Sequence, residues 1–225
     1  EILRCLVGSE MCIRDRNMEL STYQNIAVTG YFDAVDGEGD TLTFQLTSTP
    51  ARGAVELAED GSARFVYTPY ENKTGKDSFT YVALDQAGNT SPEAKVTLSI
   101  EKPDTKVTYA DMEGNPAHKA SIRLAEEGIF VGSYVNGSYF FDPDQPVSRA
   151  EFLTMAMAAT GLEPLEDVTL TGFYDDEAIP TWAKGYVSSA LKAGAIQGSL
   201  DQEGQPVFGS GETVTQGEAT VMLDN

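Results

Sequence analysis

Two short segments with the spacing Ser/Thr-x-x-Glu stand where amphipathic patterns begin. They read SRAE at 148–151 and TQGE at 215–218. This spacing predicts a capping box, in which the hydroxyl and the carboxylate each bond to a backbone N–H group at the start of a helix. We therefore predict structural roles for the serine, the threonine and the two glutamates.

Arg149 has no role in such a box. The first turn of a helix carries a partial positive charge, so folding alone offers little reason to place a cation there. Backbone donors at a helix start, together with a guanidinium group, can bind a carboxylate through parallel hydrogen bonds. The residues therefore predict an anion site at Arg149, with a solvated surface arginine as the alternative. Gln216 occupies the matching position in the second segment, which lacks the guanidinium.

An acidic loop containing glycine offers a second kind of chemistry. Asp33, Asp36, Glu38 and Asp40 lie close together in the sequence, and calcium in proteins takes several oxygen ligands. The spacing does not match an EF-hand loop, and a solvated hairpin tip is the alternative. We expect no cofactor other than calcium, for which Asp36, Glu38 and Asp40 are the candidates.

The common catalytic motifs are missing from the sequence. It contains no Gly-x-Ser-x-Gly, no His-Glu-x-x-His and no phosphate-binding glycine loop, and it has a single histidine. Its carboxylates are too numerous to indicate a glycosidase pair. We therefore predict that the chain is not an enzyme.

The charge composition argues against two classes of partner. The 225 residues include 35 acidic and 15 basic residues, a formal net charge of −20. Binding to nucleic acid or to an anionic membrane surface requires clustered lysine and arginine.

No apolar run approaches the length of a membrane span, and the N-terminus does not have the pattern of a signal peptide. We expect neither nucleic-acid binding nor membrane insertion.

The N-terminal segment differs from the rest. Residues 5–16 read CLVGSEMCIRDR, which resembles the in-frame translation of a transposase adapter used in sequencing libraries. We therefore exclude residues 1–16 from the fold prediction as an artefact, the alternative being a genuine N-terminal segment. Cys5 and Cys12, the only two cysteines, fall in this segment, so no disulfide or metal site is predicted from them.

Residues 17–102 predict an all-β domain. Apolar and polar residues alternate in 41–46, 79–83 and 94–100, with the period of half-buried strands. Turn-forming residues separate roughly seven such strands, as in an antiparallel sandwich. The segments 65–69 and 75–81, rich in aromatic residues, resemble bacterial cadherin-like and Ig-like repeats of large surface proteins. That resemblance implies a core role for four aromatic residues: Phe65, Tyr67, Phe79 and Tyr81.

From residue 103 the pattern changes to amphipathic helices, and the same features occur twice. A segment of the type aromatic-x-Asp reads Tyr-Ala-Asp and ends at Asp111. It recurs as Phe-Tyr-Asp, which ends at Asp175. Glycine pairs, phenylalanine-containing loops and the two Ser/Thr-x-x-Glu segments follow in the same order. The sequence predicts helical repeats at 103–162 and 163–225, the second of them truncated.

These features resemble the S-layer homology family, whose repeats combine an aromatic-x-Asp start, a Gly-Ile-x-x-Gly helix end and a Thr-Arg-Ala-Glu helix start. The resemblance implies non-covalent attachment to a secondary cell-wall polysaccharide that carries pyruvate ketals. It implies that Arg149 pairs with the ketal carboxylate and that Asp111 or Asp175 accepts sugar hydroxyls. It also implies that Trp182 stacks on a sugar ring, for which helix core is the alternative.

The expected protein is a multidomain fragment, with an all-β Ig/cadherin-like sandwich followed by mainly α-helical S-layer homology repeats. We expect a non-catalytic bacterial surface protein whose sandwich is a spacer or adhesive module. Its expected partner is the secondary cell-wall polysaccharide or a peptidoglycan-associated polymer. Its expected location is extracellular, in the wall or S-layer of a Gram-positive-type bacterium, with the signal peptide outside this fragment. The alternative is an adhesin or carbohydrate-binding module in which the sandwich binds the ligand, with calcium.

Overall fold

The computed structural model describes residues 14–37, 39 and 41–224. The chain divides into two compact units. The first unit runs to Glu126 and includes Tyr134–Phe140, and the second unit comprises Glu127–Ser133 and the residues from Phe141 onward. Among the described residues, no helix combines the length and the apolar character that a membrane crossing requires.

Two packed sheets form the main part of the first unit. The strands of this unit up to residue 101 are β1 (Arg14–Asp15), β2 (Met18–Tyr23), β3 (Val28–Tyr31), β4 (Ala34–Val35), β5 (Thr43–Leu46), β6 (Gly53–Leu57), β7 (Arg64–Pro69), β8 (Gly75–Leu84) and β9 (Ala94–Glu101). One sheet has the order β2-β9-β8-β5 and the other β3-β7-β6, while β1 pairs only with β4. Seven strands in two sheets agree with the predicted sandwich.

Aromatic rings from both sheets fill the core of the sandwich. Phe65 and Tyr67 of β7 and Phe79 and Tyr81 of β8 are each at most 1% exposed. Phe32 lies among them, with its ring centroid 4.5 Å from that of Phe65 and 4.1 Å from that of Tyr81. Close-packed rings of this size supply a large share of the stabilising apolar burial in a domain. The predicted core role of the four aromatic residues is confirmed.

The prediction of an antiparallel sandwich is wrong for one strand pair. β2 runs parallel to β9, with Met18 opposite Val96 and Thr22 opposite Ile100. Parallel neighbours need a long connection between them, and the remaining strands of the sandwich provide it. Alternation of apolar residues reveals which face of a strand is buried, but it carries no information about strand direction.

The sandwich begins earlier than residue 17. Arg14–Asp15 pairs with Ala34–Val35, and the hydroxyl of Tyr81 donates to the carbonyl of Arg16 at 3.1 Å. The described fold therefore contains three residues that the adapter argument excluded. The rest of the predicted artefact, including Cys5 and Cys12, lies outside the described residues.

The first unit continues past the sandwich into a helix. Helix α1 (His118–Glu126) is held to β2 at both ends, because Lys119 Nζ donates to Ser21 Oγ at 2.8 Å and the hydroxyl of Tyr23 donates to the Glu126 carboxylate. A hairpin of β10 (Ser133–Val135) and β11 (Ser138–Phe140) follows. The predicted repeat at 103–162 is thus divided between the two compact units.

The second unit is built on three helices. They are α2 (Arg149–Thr160), α3 (Thr181–Ala193) and α4 (Gln216–Asp224), accompanied by a 3₁₀ turn (Asp176–Ala178) and a strand pair of β12 (Ser199–Leu200) and β13 (Pro206–Val207). α2 packs against both α3 and α4 around a core that includes Leu153, Val187 and Phe208. Gly161 and Gly194 end α2 and α3 with φ of 71° and 81°, a left-handed conformation that glycine adopts without a Cβ penalty.

Candidate functional site

The starts of α2 and α4 lie side by side. Ser148 and Thr213 form an antiparallel bridge, the backbone N–H of Arg149 donates to the carbonyl of Glu212 at 2.8 Å, and Val214 donates to Val147 at 3.0 Å. Residues that are 63 to 67 positions apart in the sequence therefore share one small region of the second unit.

Both predicted capping boxes are present. The Glu151 carboxylate accepts from the backbone N–H of Ser148 at 2.9 Å, and Ser148 Oγ accepts from the N–H of Glu151 at 3.3 Å. Thr215 and Glu218 repeat these bonds at 2.9 and 3.3 Å. Hydrogen bonds from Ser148 lower the pKa of Glu151, and hydrogen bonds from Thr215, followed by the one from Arg149, lower the pKa of Glu218.

The guanidinium of Arg149 reaches the neighbouring capping box. Its Nη1 lies 2.5 Å from Oε1 of Glu218, with the Arg149 side chain 12% exposed and the Glu218 side chain 41% exposed. Its central carbon lies 5.6 Å from the centroid of the Phe208 ring. Nε is buried and has no hydrogen-bond partner among the described residues.

This geometry corrects two steps of the sequence argument. Arg149 is not a solvated surface arginine, because most of its side chain is buried. Folding does supply a reason for a cation in the first turn of α2, since the charge of Glu218 and the face of the Phe208 ring both attract it.

Arg149 and Glu218 line an open cleft of about 400 Å³. We call it the Arg149 cleft, and its walls are formed by Arg149, Ala195, Ile196, Gln197, Gly198, Gly217, Glu218, Val221 and Met222. One cation and one anion are the only charged residues among them. The remaining walls are small or apolar apart from one amide, a combination of apolar surface and few polar groups that is typical of small-ligand sites.

Asp175 supports this cleft without lining it. Its two carboxylate oxygens accept from the backbone N–H groups of Phe208 and Gly209, both at 2.8 Å. The next residue, Ser210, accepts from the N–H of Ala150 at 3.1 Å. Asp175 therefore fixes the loop that carries the ring beside Arg149, and its role as a sugar ligand stays a prediction.

The other two predicted sugar ligands do not line the Arg149 cleft. Trp182 is in the first turn of α3 and is 53% exposed, so it is not a core residue. An exposed ring is available for stacking, and this role of Trp182 also stays a prediction. Asp111 belongs to the first compact unit, whereas Arg149 belongs to the second.

The calcium candidates fall partly outside the described residues, because Glu38 and Asp40 are not described. Asp33 Oδ2 lies 3.3 Å from Arg16 Nη1. Within the described parts of the chain, no group of three or more His, Cys, Asp or Glu side chains could hold a metal ion. Calcium at Asp36, Glu38 and Asp40 stays a prediction.

Sequence reasoning missed a second ion pair of the same unit. Asp176 accepts from Lys184 Nζ at 2.5 Å, and from the backbone N–H and the hydroxyl of Thr171 at 2.7 Å each. The bond from Lys184, with those from Thr171, lowers the pKa of Asp176 to about 2. A spacing of eight residues across the turn into α3 has no recognisable pattern, so the sequence held no signal for this pair.

Several known proteins resemble parts of the chain. The exoglucanase XynX of Acetivibrio thermocellus is 28% identical over 130 residues, which are 56% of this chain and 11% of that protein. Among solved structures, an endo-fucoidan hydrolase of glycoside hydrolase family 107 covers 43% of this chain and 14% of its own, with 21% identity and a TM-score of 0.35. The match to the fibronectin(III)-like modules of Clostridium thermocellum CbhA covers 40% of this chain and 98% of that one, with 14% identity and a TM-score of 0.24. Similarity at these TM-scores supports no inference.

The match to a protein family is confined to the sandwich. The S-layer homology family gives no match. Residues 13–102 match the family described as the bacterial cadherin-like domain. This range covers the nine strands β1–β9 and the aromatic core that they enclose, so the part of the chain from residue 13 to residue 102 is a bacterial cadherin-like domain.

Proposed function

We propose that this chain is a non-catalytic part of a bacterial cell-surface protein that attaches to secondary cell-wall polysaccharide through the Arg149 cleft. One observation carries the proposal: the guanidinium of Arg149 lines an open cleft of about 400 Å³ whose other walls are mostly small or apolar. The S-layer homology pattern in the sequence around this residue points to the same partner.

The guanidinium of the cleft can bind a sugar that carries a carboxylate, in competition with the carboxylate of Glu218. A guanidinium donates up to five N–H bonds and can bind a carboxylate through two of them. The neighbouring apolar walls, such as Ile196 and Val221, offer a surface for the C–H faces of a sugar ring. A cleft of this size and composition holds one or two sugar units rather than a long chain segment.

The cadherin-like domain is proposed to be a spacer or an adhesive module. Phe65, Tyr67 and Tyr81 have no exposed surface and are used in its own core. Tyr31 and Tyr70, at 62% and 51% exposed, are the rings on its surface that a sugar could reach. Similarity to an exoglucanase supports an association with polysaccharides, and an extracellular location belongs to the same proposal.

Co-sedimentation with purified Gram-positive sacculi tests the proposal. The whole chain is mixed with intact sacculi and with sacculi stripped of their secondary polymer. Arg149→Ala is compared with Lys192→Ala, which removes the same charge from an exposed position in the last turn of α3. Thermal melting of each variant confirms that it is folded.

We expect the unmodified chain and Lys192→Ala to bind intact sacculi and not stripped ones. Arg149→Ala should bind about tenfold more weakly, the factor expected for one lost charged hydrogen-bond pair. Equal binding by Arg149→Ala and Lys192→Ala, or equal binding to both preparations, would contradict the proposal.

A further inference from the structure

We infer that Glu218 sets the selectivity of the Arg149 cleft, because its carboxylate occupies the donor that a carboxylate on the ligand would need. The inference rests on the proposed function, since it concerns how the same cleft distinguishes a charged sugar from a neutral one. The sequence assigned Glu218 only a capping role, and the structure gives it two.

The two oxygens of Glu218 have separate tasks. Oε2 accepts from the backbone N–H and the hydroxyl of Thr215, at 2.9 and 2.7 Å, and so completes the capping box. Oε1 points the other way and lies 2.5 Å from Nη1 of Arg149. The capping bonds hold the carboxylate in place, so the contact with Arg149 is made by a group that is already fixed.

The charge balance of the second unit makes this contact important. The unit contains 15 acidic and three basic residues. Of the basic residues, Lys184 is paired with Asp176, and Lys192 is in the last turn of α3 and does not line the cleft. Among the described residues, Arg149 is the only cation that lines the cleft, and Glu218 offsets its charge. An incoming carboxylate meets a neutralised arginine and a second carboxylate beside it.

A neutral sugar does not meet this obstacle. One hydroxyl can accept from the guanidinium while the next donates to Oε1 of Glu218, so the ion pair serves as a matched donor and acceptor. A sugar that carries a carboxylate must displace Oε1 or share Arg149 with it, against the repulsion of like charges. Glu218 therefore lowers the affinity for carboxylated sugars and supports the binding of neutral ones.

The test removes the charge of Glu218 and its bond to Arg149 and keeps its capping bonds to Thr215. In Glu218→Gln the amide oxygen can still complete the capping box, for which glutamine is also suited, and no charge remains opposite Arg149. Glu151→Gln is the matched control, because it makes the same change in the capping box of α2, where the carboxylate bonds to Ser148. Glu218→Asp keeps the charge but shortens the reach toward Nη1, and gives a second variant.

The probe is a purified wall polysaccharide bearing pyruvate ketals, used before and after mild acid removes the ketals. Dissociation constants are measured by calorimetry for the whole chain and its variants. We expect Glu218→Gln to bind the ketal-bearing polymer about three- to tenfold more tightly than the unmodified chain. Glu218→Asp should gain less, Glu151→Gln should be unchanged, and the ketal-free polymer should show no gain.

Other results would show whether this inference, or also the proposed function on which it rests, is wrong. If Glu218→Gln gains nothing while Arg149→Ala loses affinity, the inference is wrong and the proposed function stands. An equal gain on the ketal-free polymer also overturns the inference, because competition with a carboxylate cannot then be the cause. If neither the unmodified chain nor any variant binds, or if Arg149→Ala binds like the unmodified chain, both are overturned.

Discussion

Two carboxylates, Asp77 in the sandwich and Glu218 in the second unit, show how differently the two parts of the chain use the same chemical group. Asp77 is 8% exposed, and its oxygens accept from the N–H groups of Ala51 and Arg52 and from the hydroxyl of Tyr67, at 2.8 to 2.9 Å. Glu218 is far more exposed and divides its oxygens between a helix cap and a cation.

This contrast indicates which partly buried charges are available to a ligand. Burial opposes the ionisation of Asp77, but the hydrogen bonds from Ala51, Tyr67 and Arg52 outweigh it and lower its pKa. All of those donors are protein groups, and both oxygens of Asp77 accept from them. Arg149 and Glu218 instead line a cleft that is open to a ligand.

The largest expected effect is on the stability of the sandwich. Asp77→Ala removes the acceptor of three backbone N–H groups and of the Tyr67 hydroxyl, which we expect to lower the free energy of unfolding by about 3 kcal/mol. Asp60→Ala, a change in an exposed turn, is the control and should have a far smaller effect. Chemical denaturation measures both. A small loss in Asp77→Ala would show that the carboxylate does not organise the sandwich.

The second largest effect is expected in the pH dependence of the stability of the second unit, to which Asp176 belongs. Because the pKa of Asp176 is lowered from 3.8 to about 2, its contribution to stability is complete above pH 4 and is lost as the pH falls toward 2. Asp176→Asn should remove this part of the acid sensitivity. Melting temperatures between pH 5 and pH 2 measure it. Parallel curves for the two proteins would contradict the pairing with Lys184.

A smaller effect is expected at the loop beside Arg149. Asp175→Ala frees the N–H groups of Phe208 and Gly209 and should cost about 1–2 kcal/mol. Since the Phe208 ring then loses its fixed position beside Arg149, binding to sacculi should also weaken. Glu177→Ala, two residues away and exposed, is the control. Unchanged binding in a destabilised Asp175→Ala would limit Asp175 to a role in folding.

The smallest effect on stability is expected at Trp182. Trp182→Ala removes a ring that is 53% exposed, so the free energy of unfolding should change by less than about 0.5 kcal/mol. If the ring stacks on a sugar, binding to sacculi weakens all the same. Leu170→Ala, at a position that is 75% exposed in the same unit, is the control. A large loss of stability would place Trp182 in the core after all.

Local patterns in the sequence were sufficient for part of this structure. Alternation identified the buried faces of β8 and β9, and the Ser/Thr-x-x-Glu spacing identified both capping boxes. These features depend on neighbours a few residues apart, which is the range over which a sequence pattern reports directly.

The remaining features depend on long-range contacts. The parallel pairing of β2 with β9, the contact of Arg149 with Glu218 and the support of Phe208 by Asp175 each join residues more than 30 positions apart. No spacing rule reaches so far. The partial positive charge at the start of α2 predicts a negative partner for Arg149. It could not show that this partner is Glu218 of the same chain.

Nuclear magnetic resonance of the Arg149 side chain would show whether a polysaccharide binds in the Arg149 cleft. The Nε–Hε signal of Arg149, assigned with Arg149→Lys, is followed while the ketal-bearing polysaccharide is added to the whole chain. Binding in the Arg149 cleft predicts that this signal and the backbone signals of Gly217 and Glu218 shift, while those of the sandwich core, such as Tyr67, do not. Shifts on the strands of the sandwich with an unchanged Arg149 signal would contradict it and would make the cadherin-like domain the binding module.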